Sequence, residues 1–532
     1  MKERSYWGWG YTDFQVPKAF TNYFKASIQA SLQIEQFDPY EPQAVEDLSL
    51  RAPRFNLPPH LVKLCSASNY NRARHAYGKA YRDILRGVQG HFPNPPDYVA
   101  FPKTEDDIIQ LMDFATENGV ALIPVGGGSS VCGGIEPTEN SRYAGVISVN
   151  MMHFNQILEI DRTSRSAHIQ GGIYGPALEA GLKPHGLTLR HYPQSFEFST
   201  LGGWIATRAG GHFATLYTHI DEFVQSINMI TPSGKLTSRR LPGSGAGPSE
   251  ERLYTGSEGI MGIITSAWMR LQDSPKYKKT ITVAFDSFKA GAEAVRVISQ
   301  SGLNPANARL VDAREAFING LGNGQSAMLI LGFESHQRDV TYWMKEALEL
   351  CKAHGGSWDE KRLTAESRSE KGDAWKKSFL LIPYLRDELI RLGIIVETFE
   401  TAVTWDQFSH FYKKVKEAAQ NAINKYCGIG VVTCRFTHIY PDGPAPYFSV
   451  IAKGEKGQQL EQWDQIKQTV SQAVIDHGGT ITHHHAVGKD HRPFYTQQHT
   501  DLFGTMLKAV KQSVDPNWIM NPGVLLPENL ER

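Results

Sequence analysis

The chain has 532 residues, 41% of them hydrophobic and 21% charged, and its 55 Lys and Arg balance its 55 Asp and Glu. That length implies two or three domains with separate cores, and the composition argues against a disordered or integral membrane protein, since no apolar run reaches the roughly 20 residues of a span. The charge balance gives no pull toward nucleic acid or an anionic surface, so an anionic substrate would need a local basic pocket.

The opening MKERSYWGWGYTDF lacks the apolar stretch of a secretory signal, and the closing ENLER is not a peroxisomal tripeptide. A cytoplasmic location is the resulting expectation. Residues 1–90 mix aromatic stretches with apolar positions at helical spacing, as in LPPHLVKLCSASNYNRARHAYGKAYRDILRGVQG, and read as helices capping a larger body. From residue 91 the pattern alternates: PDYVAFP is a short strand, TEDDIIQLMDFATENG a capped helix ending at Gly119, and VALIPVGGG a strand running into glycine. Strand-like GVISVNM, SAHIQGG, VQSINMITPSG and GIITSAWMRL complete an α+β domain over residues 91–275. A second sheet covered by helices begins at 276, where KKTITVAFDSF, AGAEAVRVISQSG, SAMLILGFE and HQRDVTYWMKEALELCKAHGG alternate strand and helix, and it extends to 480 as an α/β cap. Residues 481–532 carry the run THHHAVGKD, a helix, and DPNWIMNPGVLLP, whose Pro and Gly indicate a turn. The five cysteines, Cys65, Cys132, Cys351, Cys427 and Cys434, lack CxxC spacing and read as reduced thiols rather than a zinc ribbon.

In ALIPVGGGSSVCGG a β-rich run meets glycines and serines, which lets successive N–H groups converge on one point, as in a phosphate-binding nest. It is neither a Walker loop nor GxGxxG opening a helix, and an ordinary glycine turn explains it equally well alone. Two further stretches, QSFEFSTLGGWIATRAGG at 194–211 and GSEGIMGIIT at 256–265, again set glycine beside Ser, Thr or β-branched residues. Three such segments together suit a cofactor with a pyrophosphate and a ring system, which needs close backbone approach.

These segments resemble the FAD-binding segments of the vanillyl-alcohol oxidase and p-cresol methylhydroxylase (PCMH) superfamily. From YWGWGYTDF through FEFSTLGGW and IPYLRD to THHHAVGK, the chain most resembles the alkylglycerone phosphate synthase family over nearly its whole length. The resemblance implies an α+β fold, with a PCMH-type FAD-binding domain, an α/β cap, N-terminal helices and a C-terminal segment returning to the active site. It places FAD contacts at Pro124, Val125, Gly126, Gly127, Gly128, Ser129 and Ser130, and at Gln194, Ser195, Phe196, Glu197, Phe198, Ser199 and Thr200. Further contacts fall at Thr207, Arg208, Ala209 and Gly210, and at Glu258, Gly259, Ile260, Met261, Gly262, Ile263 and Ile264. Covalent members carry a flavin-linking His beside the glycine loop, whereas Ser129 and Ser130 follow Gly128 here, so non-covalent FAD is expected.

The family exchanges the acyl chain of acyl-dihydroxyacetone phosphate for a fatty alcohol, without net redox change, through an adduct at flavin N5. That activity implies lipid substrates, a place in ether lipid biosynthesis, peripheral membrane contact, a homodimer and no nucleic acid partner. Tyr447 in PAPYFSV matches the catalytic tyrosine; a phenol titrates near pH 10 and needs a cation or histidine beside it to act as a base at neutral pH. Without the resemblance it would read as an aromatic packed in a strand. Arg386 in IPYLRDELI and Arg309 in NARLVDA match functional arginines, whose planar forks bind phosphate or carboxylate, Arg386 as both a catalytic and a substrate-binding residue. A surface ion pair is the bland alternative for either. Arg435 and Lys489 are weaker anion-binding candidates, set outside the catalytic group.

His483, His484 and His485 match the family's histidine run. In an extended segment their side chains alternate faces, so they cannot share an ion without a sharp bend. No nearby Cys or carboxylate set accompanies them, so no metal is expected, although His438 and His491 leave one conceivable. One histidine is expected to take the alcohol proton, another to position substrate or flavin, and at least one to serve structure. Two alternatives stand beside this: an FAD-dependent D-2-hydroxy-acid dehydrogenase or oxidase, many of which carry an EHGIG-type segment in place of HHHAVG, and a non-catalytic flavin- or lipid-binding protein that kept the fold.

Overall fold

Among the described residues of the computed structural model, which are 3–14, 16–213, 219–364 and 370–528, strands gather into four-, five- and six-stranded sheets and one two-stranded ribbon. Residues 1–2 and 529–532, parts of the ends read for targeting signals, lie outside the described residues. In the first sheet Tyr98–Ala100, Gly145–Asn150 and Val120–Val125 run parallel, and Cys65–Ser66 joins antiparallel at the edge. Parallel strands are buried on both faces, which is why VALIPV and GVISVN are near-continuous apolar runs. Helix Glu105–Asn118 starts where sequence places it, because the Thr104 hydroxyl accepts from the Asp107 N–H while the Asp107 carboxylate accepts from the Thr104 N–H. It stops at Gly119, whose φ of 62° a residue with a Cβ adopts at a cost.

The second sheet is antiparallel, in the order Ile157–Asp161, Ser166–Gln170, Ile263–Arg270, Val224–Thr231 and Gly234–Thr237. The third, also antiparallel, runs Tyr277–Phe285, Ala327–Ser335, Asn307–Val311, Gly430–Ile439, Pro444–Lys453 and Ile394–Glu400. Helices Phe288–Gln300, Thr341–Ala353, Trp405–Tyr426 and Gln459–Asp476 contribute to the core on one of its faces. Alternation along the strands then decides the other face. Phe448, Val450 and Ala452 enter the helix-covered core, whereas Tyr447, Ser449 and Ile451 line a cavity. Likewise Cys434 and Leu310 go to the core, and Arg435 and Arg309 to the cavity.

The N-terminal helices are built into this cap. Helix Tyr81–Val88 adds Tyr81, Ile84, Leu85 and Val88 to the cap core, and helix Lys18–Leu32 lays Phe24, Ile28 and Leu32 against Leu385, Leu389 and Ile451. DPNWIMNPGVLLP forms turns with one isolated bridge, Leu122 to Met520, and reaches both other cores: Ile519 and Met520 join the first sheet's, Trp518 and Val524 the second's. Among the described residues no helix is long and apolar enough to cross a membrane.

The glycine loop after Val120–Val125 packs directly on the 3-10 turn Phe196–Phe198; a Cβ on Gly127 would lie 1.8 Å from the Phe198 carbonyl oxygen. Gly127→Ala is therefore expected to destabilise the fold by about 1–3 kcal/mol, the usual range for overpacking. A calorimetric scan with an unchanged transition would contradict that contact.

Candidate active site

A cavity of about 360 Å³ lies between the open face of the cap sheet and the glycine-bearing segments. Of the expected FAD contacts, all seven from Pro124 to Ser130 line it, as do Gln194, Ser195, Ser199, Thr200, Thr207, Ala209, Gly210, Glu258, Gly259, Gly262, Ile263 and Ile264. Phe196, Glu197, Phe198, Arg208, Ile260 and Met261 lie off its wall. Phe198 sits under the Arg4 guanidinium at 4.2 Å, and Phe196 packs on Tyr192 at 4.5 Å. Glu197 is exposed, Arg208 pairs with Asp221 at 3.1 Å, and Ile260 and Met261 are in the second sheet's core. The remaining wall fits FAD: glycine backbone at 126–128, 202–203 and 210–211 allows close approach of a pyrophosphate, and Met151, Trp204 and Ile264 give apolar surface for a ring system.

Tyr447 is buried on the opposite wall, with the Arg435 guanidinium 3.9 Å from its ring centre. Burial raises the phenol's pKa more than Arg435 and the Thr398 hydroxyl lower it, so Tyr447 is a protonated donor at neutral pH. The cation that sequence asked for beside this tyrosine is thus Arg435, the residue that sequence had set aside. Arg435 is itself matched by Glu315 at 2.6 Å, and Glu315 also accepts from the Thr433 hydroxyl. Period-two alternation with Thr433 was the available signal, since both residues face the cavity. Arg309 is buried next to this pair, and burial together with Arg435 pushes it down to about 9. Arg386, from helix Glu370–Arg391, reaches the same cavity and donates from Nη2 to the Lys79 carbonyl at 2.7 Å. Lys489 is off the cavity wall, donating to the Pro137 carbonyl.

The histidine run is bent, not extended, so the alternation of faces that an extended segment imposes does not hold here. The reason is Glu400, buried at the end of strand Ile394–Glu400. Its carboxylate accepts three successive N–H groups, from His483 at 2.7 Å, His484 at 3.1 Å and His485 at 3.0 Å, besides the Thr482 hydroxyl at 2.5 Å. Ala486, at φ 71°, then turns the chain again. Burial works to raise Glu400, but its contacts with the histidine segment, His484 foremost, overcome that and hold the carboxyl well below the usual range. A carboxylate is therefore at hand where sequence saw none, and no local signal in IIVETFE could have announced it.

The bend separates the three rings. His484 and His485 line the cavity; His483 does not, its Nε2 lying 2.6 Å from the Tyr440 hydroxyl and its Nδ1 3.0 Å from His484 Nδ1. His483 is thus the member bound into the scaffold. One nitrogen each of His438, His483 and His484 falls within 4.8 Å of the others. Both His438 nitrogens meet oxygens, the Gly211 carbonyl at 2.8 Å and the Thr437 hydroxyl at 3.1 Å, and both His483 nitrogens are engaged, by Tyr440 and by His484. His491 bonds the Ala486 carbonyl at 2.8 Å. Burial holds His438, His483 and His485 neutral at pH 7, each well below its ordinary value.

The far end of the run is held by Glu258, expected only as an FAD contact. Its two carboxylate oxygens accept from the Val487 and Gly488 N–H groups, both at 2.8 Å, and burial pushes it up to about 7 against those bonds. Gly488, at φ 57°, also lies so close to Cys132 that a Cβ would meet its carbonyl oxygen at 2.1 Å.

Residues 96–239 match the family of FAD binding domains, and residues 274–525 that of FAD linked oxidases, C-terminal domain. An alkyldihydroxyacetonephosphate synthase of Caenorhabditis elegans is 30% identical over 479 residues, covering 85% of this chain and 80% of that protein. Its counterpart in Dictyostelium discoideum is 29% identical over 526 residues, covering 93% and 83%. A solved alkyldihydroxyacetonephosphate synthase structure has the same fold, with a TM-score of 0.81 at 24% identity over 98% of each chain.

Glu258→Ala strips the partner from two buried N–H groups and is expected to destabilise the protein by about 2–6 kcal/mol, at roughly 1–3 kcal/mol each. The midpoint of urea unfolding measures this; a midpoint equal to the parent's would show that the carboxylate anchors nothing.

Proposed function

The chain belongs to the alkyldihydroxyacetonephosphate synthase family, and from that premise we propose that it exchanges the acyl chain of acyl-dihydroxyacetone phosphate for a fatty alcohol, in ether lipid biosynthesis and without net redox change. FAD is its cofactor, held without a covalent bond between the glycine wall and the cap sheet. Bound FAD supplies the electron-rich ring on which the exchange depends; the remaining tasks fall to the chain's own side chains.

The observation that carries this reading is that one cavity joins three environments. Beside the glycine wall lies a polar region in which Arg309 and Arg386 present guanidinium groups to a phosphate or a departing carboxylate, Arg386 with Asp387 3.4 Å away and Arg435 paired with Glu315. Tyr447, protonated by burial, donates to a substrate oxygen as charge builds there. A cavity-facing histidine takes the alcohol's proton. The third region is apolar: Phe24, Ile318, Leu385, Leu389, Val396 and Ile451 line the cavity and belong to one hydrophobic cluster, suited to a long hydrocarbon chain. Phe24 is that region's contribution from helix Lys18–Leu32.

Holoenzyme given labelled hexadecanol and palmitoyl-dihydroxyacetone phosphate should form the labelled ether and release palmitate. Tyr447→Phe should keep its FAD and lose about 100-fold or more in kcat. Bleaching of the flavin by D-lactate or D-2-hydroxyglutarate, with no ether formed, would overturn the reading in favour of an oxidase. Phe24→Ala should shift preference toward longer alcohols, by roughly 4-fold in kcat/KM for each methylene newly accommodated at about 0.8 kcal/mol. A chain-length series on the parent and the variant checks this.

A further inference from the structure

We propose that Glu400 is a positioning residue which fixes the ring tautomer of His484 and thereby makes His484, rather than His483 or His485, the group that takes the alcohol's proton. The inference rests on the alkyl-transfer reading and assigns a role within that site.

Glu400 cannot itself trade protons. Two carboxylate oxygens offer about four lone-pair positions, and here they face the Thr482 hydroxyl, three main-chain N–H groups and His484 Nδ1 at 3.2 Å. A carboxylate so saturated is ionised and stays so. Its effect is exerted on the one imidazole nitrogen it touches.

That contact sets the polarity of a chain of hydrogen bonds with two conceivable directions. The chain runs from Tyr440 to His483 Nε2 at 2.6 Å, then from His483 Nδ1 to His484 Nδ1 at 3.0 Å. Were the proton between the two rings on His483, the lone pair of His484 Nδ1 would point at the Glu400 carboxylate, a repulsive arrangement in a buried site. The proton therefore sits on His484 Nδ1, shared between Glu400 Oε2 and His483 Nδ1, and His483 donates from Nε2 to the Tyr440 oxygen. His484 Nε2 is left with its lone pair. The ring lines the cavity, with its centre 6.0 Å from that of Tyr447.

The other two histidines lack this arrangement. His483 is off the cavity wall, and His485 Nδ1 is 3.8 Å from Glu400, beyond hydrogen-bond reach. In the exchange the alcohol's proton passes to His484 Nε2 as the alcohol oxygen bonds the dihydroxyacetone carbon. The fatty acid departs with the electron pair of its C–O bond as carboxylate. The proton on His484 then leaves to solvent, so one alcohol is consumed and one fatty acid, as carboxylate plus proton, is released. Glu400 stabilises the transient imidazolium through Nδ1, the part played by the carboxylate in a Ser-His-Asp triad.

The test combines kinetics with ring spectroscopy. In FAD-loaded protein, Glu400→Gln should lower kcat about 100-fold while the KM for alcohol stays within about 3-fold. In a double-mutant cycle Glu400→Gln should add little to His484→Ala; penalties that multiply would overturn the proposal, because a merely structural carboxylate acts independently of that ring. Long-range 1H–15N spectra of histidine-labelled holoenzyme should show His484 protonated at Nδ1. Protonation at Nε2 would overturn the assignment even in a protein that transfers no alkyl chain, so the spectra separate failure of this inference from failure of the functional reading. Should Glu400→Gln not fold, the tautomer in the parent protein decides alone.

Discussion

A buried carboxylate must be supplied with donors or it must give up its charge. Glu258 and Glu400 impose that requirement on the same short segment, one at each end. Between them they accept the main-chain N–H groups of residues 483, 484, 485, 487 and 488, so this stretch satisfies its backbone without helix or sheet. One carboxylate lies just before strand Ile263–Arg270 of the second sheet and the other ends strand Ile394–Glu400 of the third. The histidine segment is therefore a strap across the two walls of the cavity, and the placing of its rings depends on both.

What was legible in the sequence was local. The capping box at Thr104, the αL stop at Gly119 and the apolar run VALIPV each depend on residues a few positions apart, and that helix and strand lie where those patterns put them. The glycine segments announced a close approach of backbone to something, though Gly127 is held as tightly by Phe198 as by any ligand requirement. What was not legible was long-range. Glu400 and His483 are 83 positions apart, and Glu258 and Val487 are 229 apart. The histidine run is bent because one distant carboxylate gathers three successive donors, which only a bent chain can present. Arg435 was undervalued for a similar reason: its weight comes from lying over Tyr447 on the neighbouring strand.

The balance of charge over the whole chain is kept in buried pairs as well. Inside the cap, Arg435 meets Glu315 and Lys467 meets Glu397, each pair buried and close to balance. Arg309 and Arg386 are brought by separate elements, a strand and a helix, to the same cavity. The guanidinium groups of this cavity are thus gathered by topology, not by composition.

The turn-rich stretch near the C-terminus completes two hydrophobic cores at once, through Ile519 and Met520 in one and Trp518 and Val524 in the other. This stretch thus closes cores whose strands precede it by hundreds of residues. On the ribosome the strands of these two cores emerge without these plugs and without the strap that carries the histidines. Placement of the histidine rings is thereby deferred until these later residues are made, and a chain cut before residue 483 retains the glycine loops while lacking those rings.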